Sequence, residues 1–329
     1  MLRRLSAVIL LAAALAAIAY WWIAVRPLPL PQDPYSFTVR TGAPLRVVAR
    51  ELTAAGVLPV HWILVGLARL RGVDRAIKAG NYELNSGTTL AGLLAKLTQG
   101  DATQTSFTIV EGWTVRDLKE ALRTNDDIVK QVSDLPDTDL MQKIGASEKQ
   151  PEGWFFPDTY FFAAGATDAS ILARAHRLMR ERLATAWESR AQGLPINSPY
   201  EALILASLVE KETGRAADRP LIASVFVNRL RQGMKLQTDP AVIYGIGEHF
   251  EGNLTRRDLD RDQAFNTYTR EGLPPTPIAL PSQASLDAVL HPPATPYLFF
   301  VSRGDGSSEF SANLAEHNRA VAKYQRGGR

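Results

Sequence analysis

The stretch ILASLVEKETG, residues 204–214, runs from aliphatic side chains directly into two glutamates, Glu210 and Glu212. A carboxyl among aliphatic side chains near the C-terminal end of a helix has its ionised form disfavoured, both by desolvation and by the helix dipole. A carboxylic acid that keeps its proton near neutral pH can act as a general acid. The first question is therefore which glutamate, if either, performs acid–base chemistry.

The helix that carries both acids has clear start signals. Ser198 can cap its N-terminus, Pro199 suits the first turn, and Glu201 completes a capping box. Residues 202–209 are almost entirely apolar, which is typical of a helix that is buried on most sides. We predict a helix from Ser198 to about Thr213.

The two acids point to different sides of this helix. At roughly 100° per residue, Glu210 lies within about 40° of Leu203 and Ala206, on a face of small residues that could accept a bulky ligand. Glu212 lies roughly 160° away, where Arg215 can pair with it. We therefore predict that Glu210 is the catalytic acid and that Glu212 belongs to a structural ion pair.

Two later segments are rich in polar side chains but not in regular secondary structure. They are GMKLQTDPAVIYGIG, residues 233–247, and FNTYTREGLPPTPIALP, residues 265–281. Loops rich in Pro and Gly are rigid, and rigid loops present ligand-binding groups well. Asp239 could alternatively serve only as a helix N-cap. The residues that we predict to bind substrate are Gln237, Thr238, Asp239, Asn266 and Tyr268.

The composition excludes several kinds of site. The chain of 329 residues has no cysteine, which rules out disulfides, a thiolate nucleophile and Cys-ligated zinc. Its five histidines are scattered and show no HExxH spacing, so we expect no metal. The net charge of +3 comes without clusters of Lys and Arg interleaved with aromatics, so we expect no nucleic acid as a partner.

The N-terminal segment predicts a membrane anchor. Arg3 and Arg4 precede an uncharged run at residues 5–25, which as a helix is long enough to cross roughly 30 Å of hydrocarbon. A cleaved signal peptide is the alternative, but YWWIAVR at the end of the run lacks the small residues that a signal peptidase needs. The basic flank predicts that residues 1–4 form a cytoplasmic tail.

A Pro-rich spacer at residues 26–35 follows the predicted anchor. Pro-rich segments of this kind run extended and are stiff. The expected location is therefore the plasma (inner) membrane, with a single-pass anchor, a cytoplasmic N-terminus and a body on the periplasmic, extracytoplasmic side.

A weak internal repeat follows the spacer. Its copies align on turn glycines, and in each copy the apolar residues three, six and ten positions later share one helical face. Alternation before each glycine is typical of a short strand. Each copy is therefore predicted to be a strand–turn–helix unit, and the first two copies resemble LysM-like carbohydrate-binding folds. The three copies begin at Phe37, Tyr82 and Phe107, with turn glycines Gly42, Gly87 and Gly112.

The expected fold class is α+β, in several parts. After the transmembrane helix, residues 36–150 form a LysM-like αβ region and residues 151–329 form a mixed α+β catalytic domain. In the second domain, helical periodicity predicts helices near 168–192 and 220–232 besides the glutamate helix. YLFFVSRGDGSSEFSAN reads as a hairpin with a Gly-rich turn, followed by a closing amphipathic helix.

Several long motifs together resemble one family. They are EGWFFPDTY, ASLVEKETG, SVFVNRLRQGMKLQTDPAVIYGIG, FNTYTREGLPPTPIALPS and HPPATPYLFFVS. In this order they resemble the endolytic murein transglycosylases, the MltG-type or YceG-like family, over nearly the whole second domain. The resemblance implies that the catalytic glutamate is the first Glu of VEKET, which is Glu210, and that the LQTDP and NTY segments belong to the cleft.

The resemblance implies a membrane-anchored lytic transglycosylase that cleaves the MurNAc-β-1,4-GlcNAc bond of nascent peptidoglycan and ends glycan elongation. Hydrolysis of such bonds ordinarily needs two carboxylates. Attack by the C6 hydroxyl of the muramic acid itself gives a 1,6-anhydro end and can use one residue as acid and then base. No cofactor is implied. The implied partners are peptidoglycan glycan strands, the membrane through the N-terminal helix, and peptidoglycan synthases.

Three other functions stay open at this point. The first is a non-catalytic peptidoglycan-binding protein of the cell envelope. The second is aminodeoxychorismate lyase, which needs pyridoxal phosphate on a Schiff-base lysine, but no apolar-flanked lysine or Gly-rich phosphate loop stands out. The third is a water-using muramidase, which would leave reducing rather than anhydro sugar ends.

Overall fold

The structure, a computed structural model, describes residues 11, 14, 17, 18, 20–40, 42–99, 105–162 and 165–326. The predicted membrane span at residues 5–25 lies largely outside them, and the predicted tail at residues 1–4 lies wholly outside them. Across the part of the chain that is described, no helix is long and apolar enough to cross a bilayer. The anchor and the location therefore stay predictions.

The secondary structure of the described residues is mixed α and β. The α-helices are α1 (Leu45–Ala54), α2 (His61–Leu70), α3 (Leu90–Gln99), α4 (Val115–Arg123), α5 (Asp137–Lys143), α6 (Asp168–Glu188), α7 (Pro199–Glu212), α8 (Arg219–Arg231), α9 (Asp239–Ile246), α10 (Arg256–Asp260), α11 (Gln283–Leu290) and α12 (Leu314–Val321). The strands are β1 (Tyr35–Val39), β2 (Gly80–Leu84), β3 (Thr105–Thr108), β4 (Thr159–Phe162), β5 (Phe299–Ser302) and β6 (Ser308–Ser311). They pair in two-stranded sheets, β1 with β2, β3 with β4, and β5 with β6.

The first of two compact units comprises the described residues up to Phe107, together with 126–129 and 161–167. Its opening elements run strand, helix, helix, strand, and β1 pairs antiparallel with β2 so that Phe37 lies opposite Tyr82. Aliphatic side chains of α1, α2 and α3 form one buried cluster with Tyr82. The LysM-like assignment of this region stays a prediction.

The predicted repeat is confirmed in all three copies. Strand β1, β2 or β3 is followed by a glycine turn and then by α1, α3 or α4. The turn glycines have φ angles of 78°, 93° and 77°, a left-handed conformation that glycine adopts without strain. Every predicted apolar position on the helical faces is buried: Leu45, Val48, Leu52, Leu90, Leu93, Leu97, Val115, Leu118 and Leu122.

The second compact unit comprises residues 108–125 and 130–160 and the described chain from Asp168 onward. Its centre is α7, in which every residue from Ala202 to Val209 is buried. Helices α6, α8, α9 and α11 pack around α7. The two units thus divide first at Thr108, whereas the boundary predicted from the sequence lies near residue 150.

The start of α7 follows from local chemistry. Ser198 Oγ accepts a hydrogen bond from Glu201 N at 3.2 Å, which confirms the predicted N-cap. The Glu201 carboxylate accepts from Asn197 N at 2.7 Å, one residue earlier than in a standard capping box. The helix begins at Pro199 and ends at Glu212, so both glutamates of interest lie in its last turn.

The other elements predicted for the second unit are confirmed with small shifts. Helix α6 ends at Glu188 rather than near Gln192, and α8 matches the predicted helix to within one residue at each end. The C-terminal hairpin forms from β5 and β6, with Phe300 opposite Phe310, and α12 closes the chain as expected. Helices α6 and α8 pack against α7, and β5 packs against α8.

Candidate active site

Glu210 lies in the last turn of α7 and is anchored to the start of α11. Its Oε2 accepts hydrogen bonds from Ser282 N at 2.9 Å, from Ser282 Oγ at 2.5 Å and from Ser285 Oγ at 2.7 Å. Arg219 Nη2 lies 3.7 Å from Glu210 Oε1, and the Glu210 side chain is only 6% exposed. Because Ser282 is the N-cap residue of α11, Glu210 joins α7 to the N-terminus of α11.

The hydrogen-bond donors to Glu210 come from a distant part of the sequence. Ser282 and Ser285 lie 72 and 75 residues further along the chain. The sequence around Glu210 therefore gave no signal of these contacts. Glu210 as the catalytic acid stays a prediction.

Glu210 also lines an open groove with a volume of about 760 Å³. Residues 108–113 and 157–159 line the same groove, together with Lys211 and Arg219. Among the described residues, no donor forms a hydrogen bond with Oε1 of Glu210, which is the oxygen nearest to Arg219. The volume is within the range of ligand-binding pockets, so the groove is large enough to hold a ligand beside Glu210.

Glu212 contacts a different part of the chain. Its Oε1 accepts one hydrogen bond, from Thr238 Oγ1 at 2.5 Å. Burial raises the pKa of Glu212 to about 7, and the negative charge of Asp239 adds to this increase, whereas Thr238 and Arg229 act against it. Glu212 does not line the groove that contains Glu210.

The predicted ion pair between Glu212 and Arg215 does not form in the described structure. Glu212 bonds to Thr238 instead, and the Arg215 backbone N donates to Thr213 Oγ1 at 3.0 Å. Because α7 ends at Glu212, residue 215 lies beyond the helix and the i, i+3 spacing no longer brings the two side chains together.

The two segments that were predicted to bind substrate contact each other beside Glu212. Thr238, in the first segment, donates its hydroxyl to Glu212, and Asp239 Oδ1 next to it accepts from Tyr268 Oη at 2.6 Å. Thr267, in the second segment, accepts from Thr238 N through its Oγ1 at 2.9 Å. None of the residues in these segments lines the groove that contains Glu210.

Gln237 has an unusual backbone conformation beside Glu212. Its φ is 51°, and no other non-glycine residue among those described has a positive φ. That region is disfavoured for residues with a side chain and persists where the surroundings hold it. Gln237 N donates to Thr267 O at 3.1 Å, and Gln237 Oε1 accepts from Arg229 Nη1 at 3.3 Å. The exposed Gln237 side chain is thereby held next to Thr238.

Arg229 is a residue of this site that was not identified from the sequence. It lies on α8, is buried, and donates to Leu298 O at 2.7 Å and to the carbonyl oxygens of Lys235 and Leu236 at 3.2 and 2.9 Å. Burial lowers the pKa of Arg229, but an arginine keeps its charge in proteins. Arg229 therefore holds the loop before Gln237 and places a positive charge near Glu212. Its signal in the sequence was a lone cation in the aliphatic stretch SVFVNRL.

Asn266 occupies a supporting position. It is completely buried, and its Nδ2 donates to the carbonyl oxygens of Asp258, Leu259 and Arg261 at 3.2, 3.0 and 2.7 Å. Its Oδ1 accepts from Tyr268 N at 2.9 Å. Both polar atoms of the side chain are thus engaged within the described structure. Asn266 therefore positions Tyr268. That Asn266 contacts substrate stays a prediction, and both polar atoms of its side chain are already used in these hydrogen bonds.

Glu152 is a second buried acid that was noted from the sequence only as part of EGWFFPDTY. Its two carboxyl oxygens accept from Val115 N at 3.1 and 3.2 Å, and Oε2 also accepts from Tyr244 Oη at 3.0 Å. Burial raises the pKa of Glu152 to about 7. It lines a cavity of about 1150 Å³ and connects the first residue of α4 to α9.

Residues 37–323 match the model of the YceG-like family, so the chain belongs to that family. A relative from Bacillus subtilis strain 168, described as an endolytic murein transglycosylase, is 32% identical over 307 residues, with coverage of 88% of this chain and 84% of the relative. A relative with the same description from Streptococcus pneumoniae strain D39 is 27% identical over 317 residues, and the match spans 86% of this chain and 57% of the relative.

A solved structure is also similar. The crystal structure of a yceG-like protein from Listeria monocytogenes matches 87% of this chain and 98% of that chain, with a TM-score of 0.54 and 26% sequence identity. The resemblance that the motifs indicated is therefore confirmed at the level of the family.

Proposed function

We propose that the protein is a membrane-anchored endolytic lytic transglycosylase of the cell envelope. Its substrate is the glycan strand of nascent peptidoglycan, in which it cleaves the MurNAc-β-1,4-GlcNAc bond and leaves 1,6-anhydroMurNAc ends. Membership of the YceG-like family across residues 37–323 and the description of two relatives as endolytic murein transglycosylases support this proposal.

One observation carries the mechanism, namely that Glu210 lines an open groove of about 760 Å³. A general acid must lie within reach of the bond that it protonates. We therefore assign the acid–base role to Glu210, in agreement with the resemblance to the family. Glu212, two residues further along the same helix, bonds to Thr238 and does not line this groove.

The chemistry requires only this one group to exchange a proton. The Glu210 carboxyl donates its proton to the glycosidic oxygen while the bond from that oxygen to C1 of MurNAc breaks. The Glu210 carboxylate then takes the proton of the C6 hydroxyl, whose oxygen bonds to C1 and closes the anhydro ring. No water enters the products.

The cellular role belongs to the same proposal. Residues 5–25 anchor the protein in the plasma (inner) membrane, and the spacer at residues 26–35 keeps the body close to the outer face of that membrane. Cleavage of strands as they emerge there ends their elongation. Peptidoglycan synthases, which supply such strands, are the partners that this role requires.

Analysis of the products tests the proposal. The full-length protein in detergent micelles is incubated with nascent glycan strands, and the new ends are identified by mass spectrometry for wild type and for Glu210→Gln. We expect anhydro ends from wild type only. Reducing ends would indicate a water-using muramidase. Glycan binding without new ends in either protein would favour the non-catalytic binding function.

A further inference from the structure

The first compact unit contains a groove of about 480 Å³ that the proposed mechanism does not use. It is lined by four arginines and one acid, so the local formal charge is strongly positive. Arg40 follows β1, Arg46 lies in the first turn of α1, Arg69 lies in α2, and Arg75 and Asp74 lie between α2 and β2. The charge thus comes from several elements that converge on one groove.

The side chains of the four arginines have no partners among the described residues. All four side chains are exposed, and none forms a hydrogen bond or an ion pair with another residue in the described parts of the chain. Other arginines form ion pairs with carboxylates: Arg270 Nε, for example, lies 2.8 Å from an Asp262 oxygen. Unpaired cations around one groove raise its positive potential, and an anion that binds there relieves their mutual repulsion.

The groove also has an apolar part. Val39 and Leu45, which line it, are buried, and Val65 and Ile77 are partly buried members of the same apolar cluster. Guanidinium groups bind carboxylates and phosphates alike through paired hydrogen bonds. A ligand that has small aliphatic groups as well as anionic groups would use both parts of the groove, whereas an isolated phosphate would use only the charge.

We propose that this groove binds a short peptide with free carboxylates and small aliphatic side chains, which is the chemistry of the stem peptides of murein. The identity of the ligand rests on the proposed function. The inference extends that function, because it gives the first compact unit a role in selecting glycan that carries peptides over glycan that has lost them.

The test uses the full-length protein in detergent micelles and a synthetic stem peptide with free carboxylates. The variant Arg69→Gln/Arg75→Gln should bind this peptide about tenfold more weakly than wild type at low salt, with a smaller difference at high salt. The control variant Arg50→Gln/Arg71→Gln removes the same charge from exposed arginines of the same unit that do not line the groove. Isothermal titration should give the control the affinity of wild type.

Two further probes identify the chemistry. The same peptide with its carboxylates amidated should bind wild type about as weakly as the free peptide binds the groove variant. Vesicles that contain phosphatidylglycerol test the lipid alternative, and their binding should not differ between the groove variant and the control. Melting temperatures equal to that of wild type show that both variants fold, which exposed arginines allow.

The proposal is overturned if the groove variant and the control variant bind the free peptide equally, or if amidation leaves the affinity unchanged. It is also overturned if the groove variant loses binding to vesicles only, which would assign the groove to a lipid surface. The peptide contains no glycosidic bond, so these results do not depend on cleavage. If wild type produces anhydro ends but the peptide does not distinguish the variants, the proposed function stands and this inference alone fails.

Discussion

Replacing Glu210 by Gln should lower the rate of glycan cleavage by about 10²- to 10⁴-fold, the contribution expected of a general acid–base residue. Gln has nearly the same size and keeps an oxygen that can accept from Ser282 Oγ and Ser285 Oγ, so the fold should persist. It cannot transfer a proton to the leaving oxygen and take one back. The measurement is the turnover of nascent strands under saturating substrate, with anhydro ends quantified by mass spectrometry.

Glu212→Gln is the matched comparison, because it makes the same change two residues away on the same helix. Its Gln keeps an oxygen that can accept from Thr238 Oγ1, and residue 212 does not line the groove that contains Glu210. We expect kcat of this variant to stay within about tenfold of wild type, far above that of Glu210→Gln. The opposite order of the two variants would establish Glu212 as the acid and refute the assignment to Glu210.

Replacing Gly153 by Ala should destabilise the protein by about 3 kcal/mol or more, through overpacking together with backbone strain. Gly153 has a φ of 83°, and a Cβ there would lie 2.6 Å from Pro277 Cγ and 3.3 Å from Leu203 Cδ2. Pro277 lies in a loop and Leu203 belongs to α7, so no flexible side-chain end can simply move aside. Urea denaturation followed by tryptophan fluorescence measures the free energy of unfolding.

Gly145→Ala separates the two contributions in that prediction. Gly145 has a φ of 76°, close to that of Gly153, but an added Cβ would have no neighbour within 4 Å. The Gly145→Ala control should therefore be destabilised only by backbone strain, by about 1 kcal/mol. If both variants lose the same stability, the packing of Gly153 against Pro277 and Leu203 contributes nothing, and the steric explanation is wrong.

Local signals in the sequence were sufficient for the elements of this fold. The cap at Ser198, the extent of α7 and the three strand–turn–helix copies were all predicted, because caps, glycine turns and helical periodicity depend on residues close in the chain. The family could be inferred from contiguous motifs for the same reason. The compact units were harder to predict, since the first one includes residues 126–129 and 161–167, which lie inside the sequence of the second.

The sequence by itself determined that Glu210 and Glu212 face different sides of one helix, because roughly 100° per residue allows no other arrangement. Only the tertiary structure decided what each side meets. Ser282 and Ser285, 72 and 75 residues from Glu210, bring their donors to that carboxylate, whereas Thr238, 26 residues from Glu212, brings Asp239 with it. Whether a buried carboxyl keeps its proton depends on donors and charges within a few ångströms, and here those groups come from distant parts of the chain.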